Sequence, residues 1–351
     1  MGRMMSFNPH EENRMFRLTS GHLSPRLPRR AILAAGAAVL ALGLIGPRGP
    51  AAAQDGIVRM VVPMAAGGPA DFVARTISEK LREKLGASVI IENKPGANGA
   101  LGGMAVAAAP PDGKTLLFAT SGLLTITPTL EQKSNFNPAT DLTPITNVVV
   151  NGTALVVRAD HPANNIAELV AISKKGPKPV TLGSAGFGNI LHLYVEVLKD
   201  ATKTDILHVP YRGVAPAMTD ALAGVIDGLF ADLPASLPQI KSGKMKALGM
   251  VGEARSKAAP NIPTIAEQGY PGVTGASWFG LFGPPKMDPK VASEVAAKVA
   301  EVLRDPEIVA KFEAVGATPT PTTPADFAKR IEQDRAHWAR VIKEHNIHLE
   351  K

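Results

Sequence analysis

Short apolar runs alternate with amphipathic segments of 10 to 16 residues along most of the chain, and this alternation restricts the fold more than any other feature. The run Val58–Pro63, for example, is followed by Asp71–Leu85, whose apolar residues fall on one helical stripe. Strand-sized runs separated by helix-sized segments are typical of βαβ units. The pattern therefore predicts an α/β protein with mixed, mainly parallel sheets.

The alternation occurs in two sets, which predicts two lobes. Strands are predicted at Val58–Pro63, Ser88–Ile91 and Thr115–Thr120 in the first set, and from Ala154–Arg158 to Met245–Val251 in the second. A strand at Ser277–Phe282 precedes three predicted helices, which are Pro289–Leu303, Pro306–Val315 and Pro324–Glu344. The economical topology packs these last elements on the first set. It assigns residues 54–154 and 276–351 to lobe I and residues 155–275 to lobe II, with a hinge and a ligand cleft between them.

Residues 1–53 have the composition of an export signal. Arg26, Arg29 and Arg30 precede a 16-residue apolar run, which is shorter than the roughly 20 residues that span a membrane. Small residues at positions 51–53 provide a cleavage pattern before Gln54. We therefore expect a cleaved signal peptide and a periplasmic protein. The paired arginines leave twin-arginine and general secretory export both open, and an uncleaved anchor is the alternative.

The formal net charge of +7 does not indicate nucleic-acid binding. Residues 1–53 contain seven arginines, no lysine and two acidic residues, so this segment accounts for five of the seven charges. The rest of the chain lacks a basic patch interleaved with aromatic residues, which is the usual footprint of a nucleic-acid site. The chain also contains no cysteine, which excludes disulfides, thiolate catalysis and cysteine-ligated metals.

The loop after the first predicted strand, residues 63–71, is a candidate anion-binding loop. Gly67 and Gly68 let the backbone approach a ligand closely, and free N–H groups precede the helix that begins near Asp71. The alternative is a tight turn in which Asp71 caps the helix. The candidate ligand-binding residues here are Pro63, Ala66, Gly67, Gly68 and Asp71.

Two more loops follow predicted strands. Thr120 and Ser121 place two hydroxyl groups after a strand that reads as buried. Residues 183–189 are mostly small, so consecutive N–H groups are exposed to a phosphate or carboxylate ahead of a helix that carries His192. The candidates in this third loop are Ser184, Gly186, Gly188 and Asn189.

No motif supports nucleotide binding or catalysis. Leu191 occupies the third glycine position of a dinucleotide fingerprint, and Ala108 occupies the first glycine position of a P-loop. The chain has neither a Gly-x-Ser-x-Gly elbow nor a His-Glu-x-x-His motif. His192 and His208 flank the candidate loops, and a structural role is favoured for both over a catalytic one. We therefore predict a binding protein that is not an enzyme, with no metal and no cofactor.

Six short motifs follow one another along the chain. They are Val61-Val62-Pro63-x-Ala65-Ala66-Gly67-Gly68-x-x-Asp71, Glu92-Asn93-Lys94-Pro95-Gly96-Ala97, Pro111-Asp112-Gly113-x-Thr115-Leu116-Leu117, Gly183-Ser184-x-Gly186-x-Gly188 with His192-Leu193, Val209-Pro210-Tyr211-x-Gly213, and Trp278-Phe279-Gly280. In this order they resemble the Bug family, the extracytoplasmic solute receptors of tripartite tricarboxylate transporters. The resemblance implies a type II-like periplasmic binding protein fold, a small mono-, di- or tricarboxylate ligand, membrane permease subunits as partners, and a monomeric receptor.

The resemblance also implies how a ligand is held. Residues 63–71 would bind one end through backbone amides and bridging waters, and residues 184–189 would bind a carboxylate at a helix N-terminus, with Thr120 and Ser121 alongside. His192, Tyr211 and Asp232 complete the candidate ligand-binding residues. Two departures from the family pattern, Pro69-Ala70 for Gly-Thr and Ala231-Asp232 for Asp-Asn, fall where selectivity would be set.

Two alternatives to a transport receptor stay open on sequence alone. A sensor receptor would bind the ligand in the same way but present it to a signalling partner. A periplasmic hydrolase or isomerase would use His192 or His208 with a nearby carboxylate, and its turnover would stop when either histidine is replaced.

Overall fold

The structure is a computed structural model that describes residues 56–130 and 135–348. The predicted signal peptide and its cleavage site lie outside the described residues. Within the described ranges, no helix combines the length and the apolar composition that crossing a membrane requires.

The described residues form the following strands and helices. The strands are β1 Gly56–Val62, β2 Ala87–Asn93, β3 Thr115–Thr120, β4 Thr143–Asn151, β5 Thr153–Arg158, β6 Thr181–Ser184, β7 Leu207–Pro210, β8 Gly228–Asp232, β9 Met245–Met250, β10 Ser277–Gly283 and β11 Ala317–Pro319. The α-helices are α1 Pro69–Leu85, α2 Ala100–Ala107, α3 Ser121–Thr125, α4 Thr127–Leu130, α5 Ile166–Lys175, α6 Ile190–Thr202, α7 Val214–Ala223, α8 Leu233–Lys241, α9 Pro289–Leu303, α10 Pro306–Glu313 and α11 Pro324–Glu344, with a 3₁₀ turn at Ala97–Gly99.

Predicted and observed elements agree closely where neighbouring residues, such as a helix cap or a proline, fix the ends of an element. The start of α11 follows from its cap, because Thr323 Oγ1 accepts a hydrogen bond from the N–H of Asp326 at 3.1 Å and Pro324 occupies the first helical position. The sequence pattern does not predict β4 or β11. Strand β4 mixes Thr146 and Asn147 with its valines, and β11 has only three residues.

The strands form two mixed sheets, which confirms the α/β class. Sheet A has the order β11-β4-β10-β3-β1-β2, and sheet B has the order β7-β6-β8-β5-β9. Among the described strand pairs, four are parallel and five are antiparallel, so the pairing is mixed rather than mainly parallel. The excess of antiparallel pairs arises because β4 and β5 carry the chain from sheet A to sheet B and β10 brings it back. Each of these three strands runs antiparallel to the neighbours with which it pairs.

The last helix contributes to the packing of both sheets. Near its start, Phe327 stacks edge-on against Trp278 of sheet A, with ring centroids 5.2 Å apart. Near its end, Trp338 packs against Tyr194 in the core beside sheet B. Both tryptophans are buried and serve packing. The lobe boundaries at residues 54–154, 155–275 and 276–351 stay a prediction.

Candidate functional site

A small cavity of about 30 Å³ lies where loops at the strand ends of the two sheets meet, and we call it the central cavity. Most of its lining is apolar or backbone, with a few polar side chains. The lining residues are Met64, Ala65, Gly68, Pro69, Ala70, Thr120, Gly122, Ala185, Asn189, Ile190, Leu191, Gly213, Val214, Asp232, Ser277 and Phe279.

Two helices that begin at this cavity have glycine N-caps. Gly68 precedes α1 and Gly213 precedes α7, and neither helix has a side-chain hydrogen bond at its N-cap. The first N–H groups of a helix have no partner within it, and a glycine cannot supply one. The first turns of α1 and α7 therefore place backbone donors and the positive ends of two helix dipoles at the cavity, an arrangement that suits anions.

The third helix at the cavity is capped differently. Asn189 Oδ1 accepts hydrogen bonds from the N–H groups of Leu191 and His192, at 2.8 and 3.1 Å, so this side chain completes the first turn of α6. Its amide nitrogen, Nδ2, is buried and has no hydrogen-bond partner. Because an unpaired buried donor is costly, Nδ2 is a strong candidate to bind a ligand oxygen.

The hydroxyl groups after β3 add a second set of polar atoms. Thr120 lines the central cavity, and Ser121 lies beside it with its Oγ buried and without a hydrogen-bond partner. Thr120 and Asn189 therefore add polar side chains to the largely apolar lining of the cavity, and Ser121 follows Thr120 in the supporting loop. The arrangement favours a ligand that carries several acceptor oxygens.

One carboxyl group, that of Asp232, lines the cavity. Its Oδ1 accepts a hydrogen bond from Thr153 Oγ1 at 2.7 Å, and its Oδ2 accepts one from Ser277 Oγ at 3.1 Å. Burial raises the pKa of Asp232 from 3.8 to about 6, although the two hydroxyl donors act in the opposite direction.

Loops of the two sheets touch across the cavity. A β-carbon placed on Gly122 would lie 2.8 Å from the Cα of Asn189, and one placed on Gly213 would lie 3.3 Å from the Cβ of Ala65. Thr127 Oγ1 also donates a hydrogen bond to the carbonyl of Gly188 at 3.3 Å. These contacts describe a closed arrangement that leaves a small internal space.

Asp71 shapes the first glycine loop instead of facing the cavity. Its carboxylate accepts hydrogen bonds from the Gly67 N–H, Arg75 Nε and Asn93 Nδ2, each at 3.0 Å. Burial would raise the pKa of Asp71, but these hydrogen bonds, led by that from Arg75, outweigh it and hold the pKa below its ordinary value. The carboxylate stays charged and fixes the turn through which Gly68 reaches the cavity.

A cluster of packed polar side chains holds the third candidate loop, residues 183–189, in place. Ser184 Oγ lies 2.6 Å from His208 Nε2, and the Gly188 N–H donates to His192 Nδ1 at 3.1 Å. The two imidazole rings stack with centroids 4.2 Å apart, and Phe187 contacts both edge-on.

Both histidines of this cluster are neutral at physiological pH. Burial lowers the pKa of His192 to about 4 and that of His208 to about 3. Neither ring lines the central cavity. The cluster therefore holds the loop in shape, which agrees with the structural role favoured for the two histidines.

A wider outer cavity of about 410 Å³ adjoins the central one and shares Met64 and Ala185 with it. Pro63, Gly186, Tyr211 and Arg212 line this outer cavity. Tyr211 is anchored there by a hydrogen bond of 2.8 Å from its hydroxyl to Asp220. The outer cavity provides a polar space at the edge of the site.

The predicted site residues thus fall into three groups. Four line the central cavity, namely Gly68, Thr120, Asn189 and Asp232. Three line the outer cavity, namely Pro63, Gly186 and Tyr211. The others lie in the supporting loops, namely Ala66, Gly67, Asp71, Ser121, Ser184, Gly188 and His192. Ligand contact by any of the fourteen stays a prediction, and for Asp71, Ser184, Gly188 and His192 the hydrogen bonds favour a positioning role.

Sequence reasoning missed several residues that shape the cavity. Gly122 and Ser277 carry no local signal, because their importance depends on Asn189 and Asp232, which lie far away in sequence. Gly213 is different, since it lies between a strand-like run, Ile206–Tyr211, and a helix-like segment, Ala215–Gly224. That position alone would have marked it as an N-terminal glycine of the same kind as Gly68.

Within the described residues, no group of three or more histidine, cysteine, aspartate or glutamate side chains is placed to hold a metal ion. The donors at the central cavity are amides and hydroxyls, and such donors suit an anionic organic ligand.

The chain is similar in sequence and in structure to known proteins. The sequence profile described as tripartite tricarboxylate transporter family receptor matches residues 73–347. Three solved structures are similar over 82–83% of this chain and 98% of their own. The periplasmic binding protein BugD has a TM-score of 0.79 at 34% identity. MatC from Rhodopseudomonas palustris with bound malate has a TM-score of 0.78 at 28% identity, and R. palustris Rpa4515 with adipate has 0.80 at 31%.

Proposed function

Because the chain belongs to the tripartite tricarboxylate transporter family of receptors, the Bug family, we propose that it captures a small carboxylate in the central cavity and delivers it to the membrane subunits of such a transporter. Its place of action would be the periplasm, reached through the predicted signal peptide. The similar structures with malate and adipate support the carboxylate class.

The observation that carries the proposal is the pair of glycine-capped helices at the cavity. Both helix starts line the central cavity, through Gly68 and Ala70 at α1 and through Gly213 and Val214 at α7. The loop before α1 also meets the N-cap of α7, where a β-carbon on Gly213 would lie 3.3 Å from the Cβ of Ala65. Two sets of free amides can then donate to the two oxygens of one carboxylate. Hydrogen bonds to a charged acceptor are roughly twice as strong as those between neutral groups. Backbone amides and dipoles therefore bind the anion without a basic side chain.

The closed arrangement explains how capture would be completed. A ligand carboxylate would be reached by α1 from one lobe and by α7 and Asn189 from the other. Such a ligand stabilises the closed state because it contacts both lobes at once. The receptor would then present its closed form to the permease.

An enzymatic role is a weaker account of the same residues. The Ser184 and His208 pair resembles a nucleophile and its base in distance alone, at 2.6 Å. Ser184 is fully buried, and its hydroxyl is also hydrogen-bonded to the backbone of Gly186. A substrate in the central cavity would meet other groups, so the pair is better explained as support for the loop.

A thermal-shift panel tests the proposal. The mature protein, residues 54–351, is expected to gain about 2.7 kcal/mol of unfolding free energy at a carboxylate concentration of 100 times Kd. Malate, adipate, other mono- and dicarboxylates, neutral amides, sugars and amino acids would be compared. Stabilisation by sugars or neutral amides alone, with none by carboxylates, would contradict the proposal.

A variant locates the effect at the cavity. Asn189→Asp keeps the oxygen that caps α6 but replaces the unpaired Nδ2 donor by an anionic oxygen, so the shift with carboxylates should disappear. Asn165→Asp is the matched control, because Asn165 caps α5 in the same way through the N–H of Glu168 at 2.8 Å, away from the cavity. The control should respond to carboxylates as the unaltered protein does.

A further inference from the structure

Asp232 is an unusual residue for a cavity proposed to bind anions. It is the last residue of β8 and the N-cap of α8, and its side chain does not cap that helix. It is 3% exposed and is the single ionisable residue among the described residues that line the central cavity. Among the described residues that line the cavity, no other charged side chain faces Asp232.

The hydrogen bonds of Asp232 leave capacity for a ligand. A carboxylate has about four acceptor positions. Thr153 and Ser277 occupy one position on each oxygen, and Ser277 also lines the cavity. Two acceptor positions thus remain on a group at the cavity wall.

The groups around Asp232 would not neutralise the charge of a second anion bound beside it. The titratable neighbour that senses its charge is Tyr194 of α6, whose buried hydroxyl has no hydrogen-bond partner. Burial raises the pKa of Tyr194, with a smaller contribution from Asp232, so Tyr194 stays neutral. Repulsion between two carboxylates is strong where water is excluded, because the local dielectric constant is low. A ligand carboxylate placed against ionised Asp232 would be rejected.

We propose that Asp232 determines the specificity of this receptor by accepting a hydrogen bond from an O–H or N–H group of the ligand, so that the preferred ligand is a small hydroxy- or aminocarboxylate. This inference rests on the proposed function. The ligand carboxylate would occupy the amides of α1 and α7, and its donor group would face Asp232. A plain dicarboxylate of the same length would offer Asp232 no hydrogen and would bind weakly above the pKa of this side chain.

A purely structural role is the competing explanation. In that account Asp232 joins β5 to β10 through Thr153 and Ser277, and ligand choice does not depend on it. The two accounts differ in selectivity, because a structural residue would change the affinity for all ligands by a similar factor.

Matched ligands separate the two accounts by isothermal titration calorimetry at pH 7.5. Succinate, malate and aspartate share a four-carbon dicarboxylate and differ in having no donor, a hydroxyl donor or an ammonium donor. We expect malate or aspartate to bind at least tenfold more tightly than succinate, and the stronger of the two identifies the donor. In Asp232→Asn, which keeps the size and adds an N–H donor, that ratio should fall at least tenfold. An unchanged ratio in the variant, or tighter binding of succinate by the unaltered protein, overturns the inference.

A second measurement needs no variant and covers the case in which Asp232→Asn does not fold. Between pH 7.5 and pH 5.5 the affinity of the unaltered protein for succinate should rise more than its affinity for malate, because protonated Asp232 no longer repels succinate and can donate to it. Equal changes for both ligands overturn the inference. If no carboxylate binds under any condition, the proposed function itself fails, and this outcome is distinct from a loss of selectivity.

Discussion

Gly122 and Asn189 meet across the central cavity so closely that a β-carbon on Gly122 would lie 2.8 Å from the Cα of Asn189 and 3.1 Å from its Cβ. The neighbour is backbone, so it cannot move aside as a flexible side chain would. Gly122 lies in α3 and follows β3 of sheet A, whereas Asn189 caps α6 beside sheet B. The absence of a side chain at residue 122 therefore permits these loops of the two sheets to approach each other this closely.

The first prediction concerns Gly122→Ala. The added methyl group should hold the lobes apart and weaken carboxylate binding at least tenfold, about 1.4 kcal/mol. The unfolding midpoint of the ligand-free protein should change little, because alanine favours a helix. Calorimetry measures the affinity, and small-angle scattering measures the more open shape. The control is Gly56→Ala, whose β-carbon meets only Ala87 at 3.9 Å, and equal affinities in the two variants would refute the steric explanation.

The second prediction concerns the stability of Asp232→Asn. The pKa of Asp232 is raised from 3.8 to about 6, so the native state favours the protonated form. The contribution of Asp232 to the unfolding free energy is therefore fully present below pH 3.8, and it is lost as the pH rises through 6. A shift of this size corresponds to about 3 kcal/mol, and weaker hydrogen bonds to Thr153 or Ser277 subtract about 1 kcal/mol.

Asp232→Asn should therefore raise the unfolding free energy by roughly 1 to 2 kcal/mol at pH 7.5 and give no gain at pH 4, on the same linkage argument. Urea unfolding of the ligand-free proteins at the two pH values measures both quantities. The same difference at both pH values would mean that the pKa of Asp232 is not raised in the native state.

The third prediction concerns the acid stability that His208 controls. Its pKa is lowered to about 3 from an ordinary value of 6.5, chiefly by burial, so the native state keeps the ring neutral. This contribution is fully present above pH 6.5 and is lost as the pH falls toward 3. In His208→Gln, which keeps a partner for Ser184, the loss of stability between pH 7.5 and pH 4.5 should be smaller by roughly 2 to 3 kcal/mol. Parallel curves for the two proteins would argue against a neutral buried ring.

The fourth prediction compares two identical four-residue segments. Residues 69–72 and 324–327 both read Pro-Ala-Asp-Phe and both begin a helix. Asp71 holds the first glycine loop through three donors, whereas Asp326 interacts with Thr323 at an exposed helix end. Asp71→Ala should lower the unfolding free energy by about 1 to 3 kcal/mol and weaken carboxylate binding, because the turn at Gly67 loses its anchor. Asp326→Ala should leave the affinity unchanged, and a similar loss of affinity in both variants would contradict a role for the loop.

Much of the fold could be predicted because its determinants are local. Strands β1 and β3, helix α1 and the last helix carry the apolar spacing and the caps that set their limits within a few neighbouring residues. Strand β4 could not be recognised, because its polar residues Thr146 and Asn147 are buried through hydrogen bonds to Thr320 and Thr322, more than 170 positions away. The direction of β10 depends on where the chain crosses between sheets, which local spacing does not encode.

In the candidate site too, features set by neighbouring residues could be predicted, and features set by distant contacts could not. Gly68 and the loop before Asn189 could be anticipated, since small residues between a strand and a helix are a local pattern. The contacts of Gly122 with Asn189 and of Ser277 with Asp232 could not, because each joins residues from different sheets. The commitment of Ser184 and Gly188 to two histidine side chains is likewise a result of packing. In sequence, Ser184 and Gly188 resemble ligand donors. In the structure, their hydrogen bonds to the histidines hold the loop in shape instead.

The most direct test of the central claim is a crystal structure of the mature protein with the carboxylate that stabilises it most. The account predicts a ligand carboxylate in the central cavity, with its oxygens about 3 Å from backbone nitrogens in the first turns of α1 and α7. A carboxylate held elsewhere, in the outer cavity or at the surface, with those amides bound to water, would contradict it.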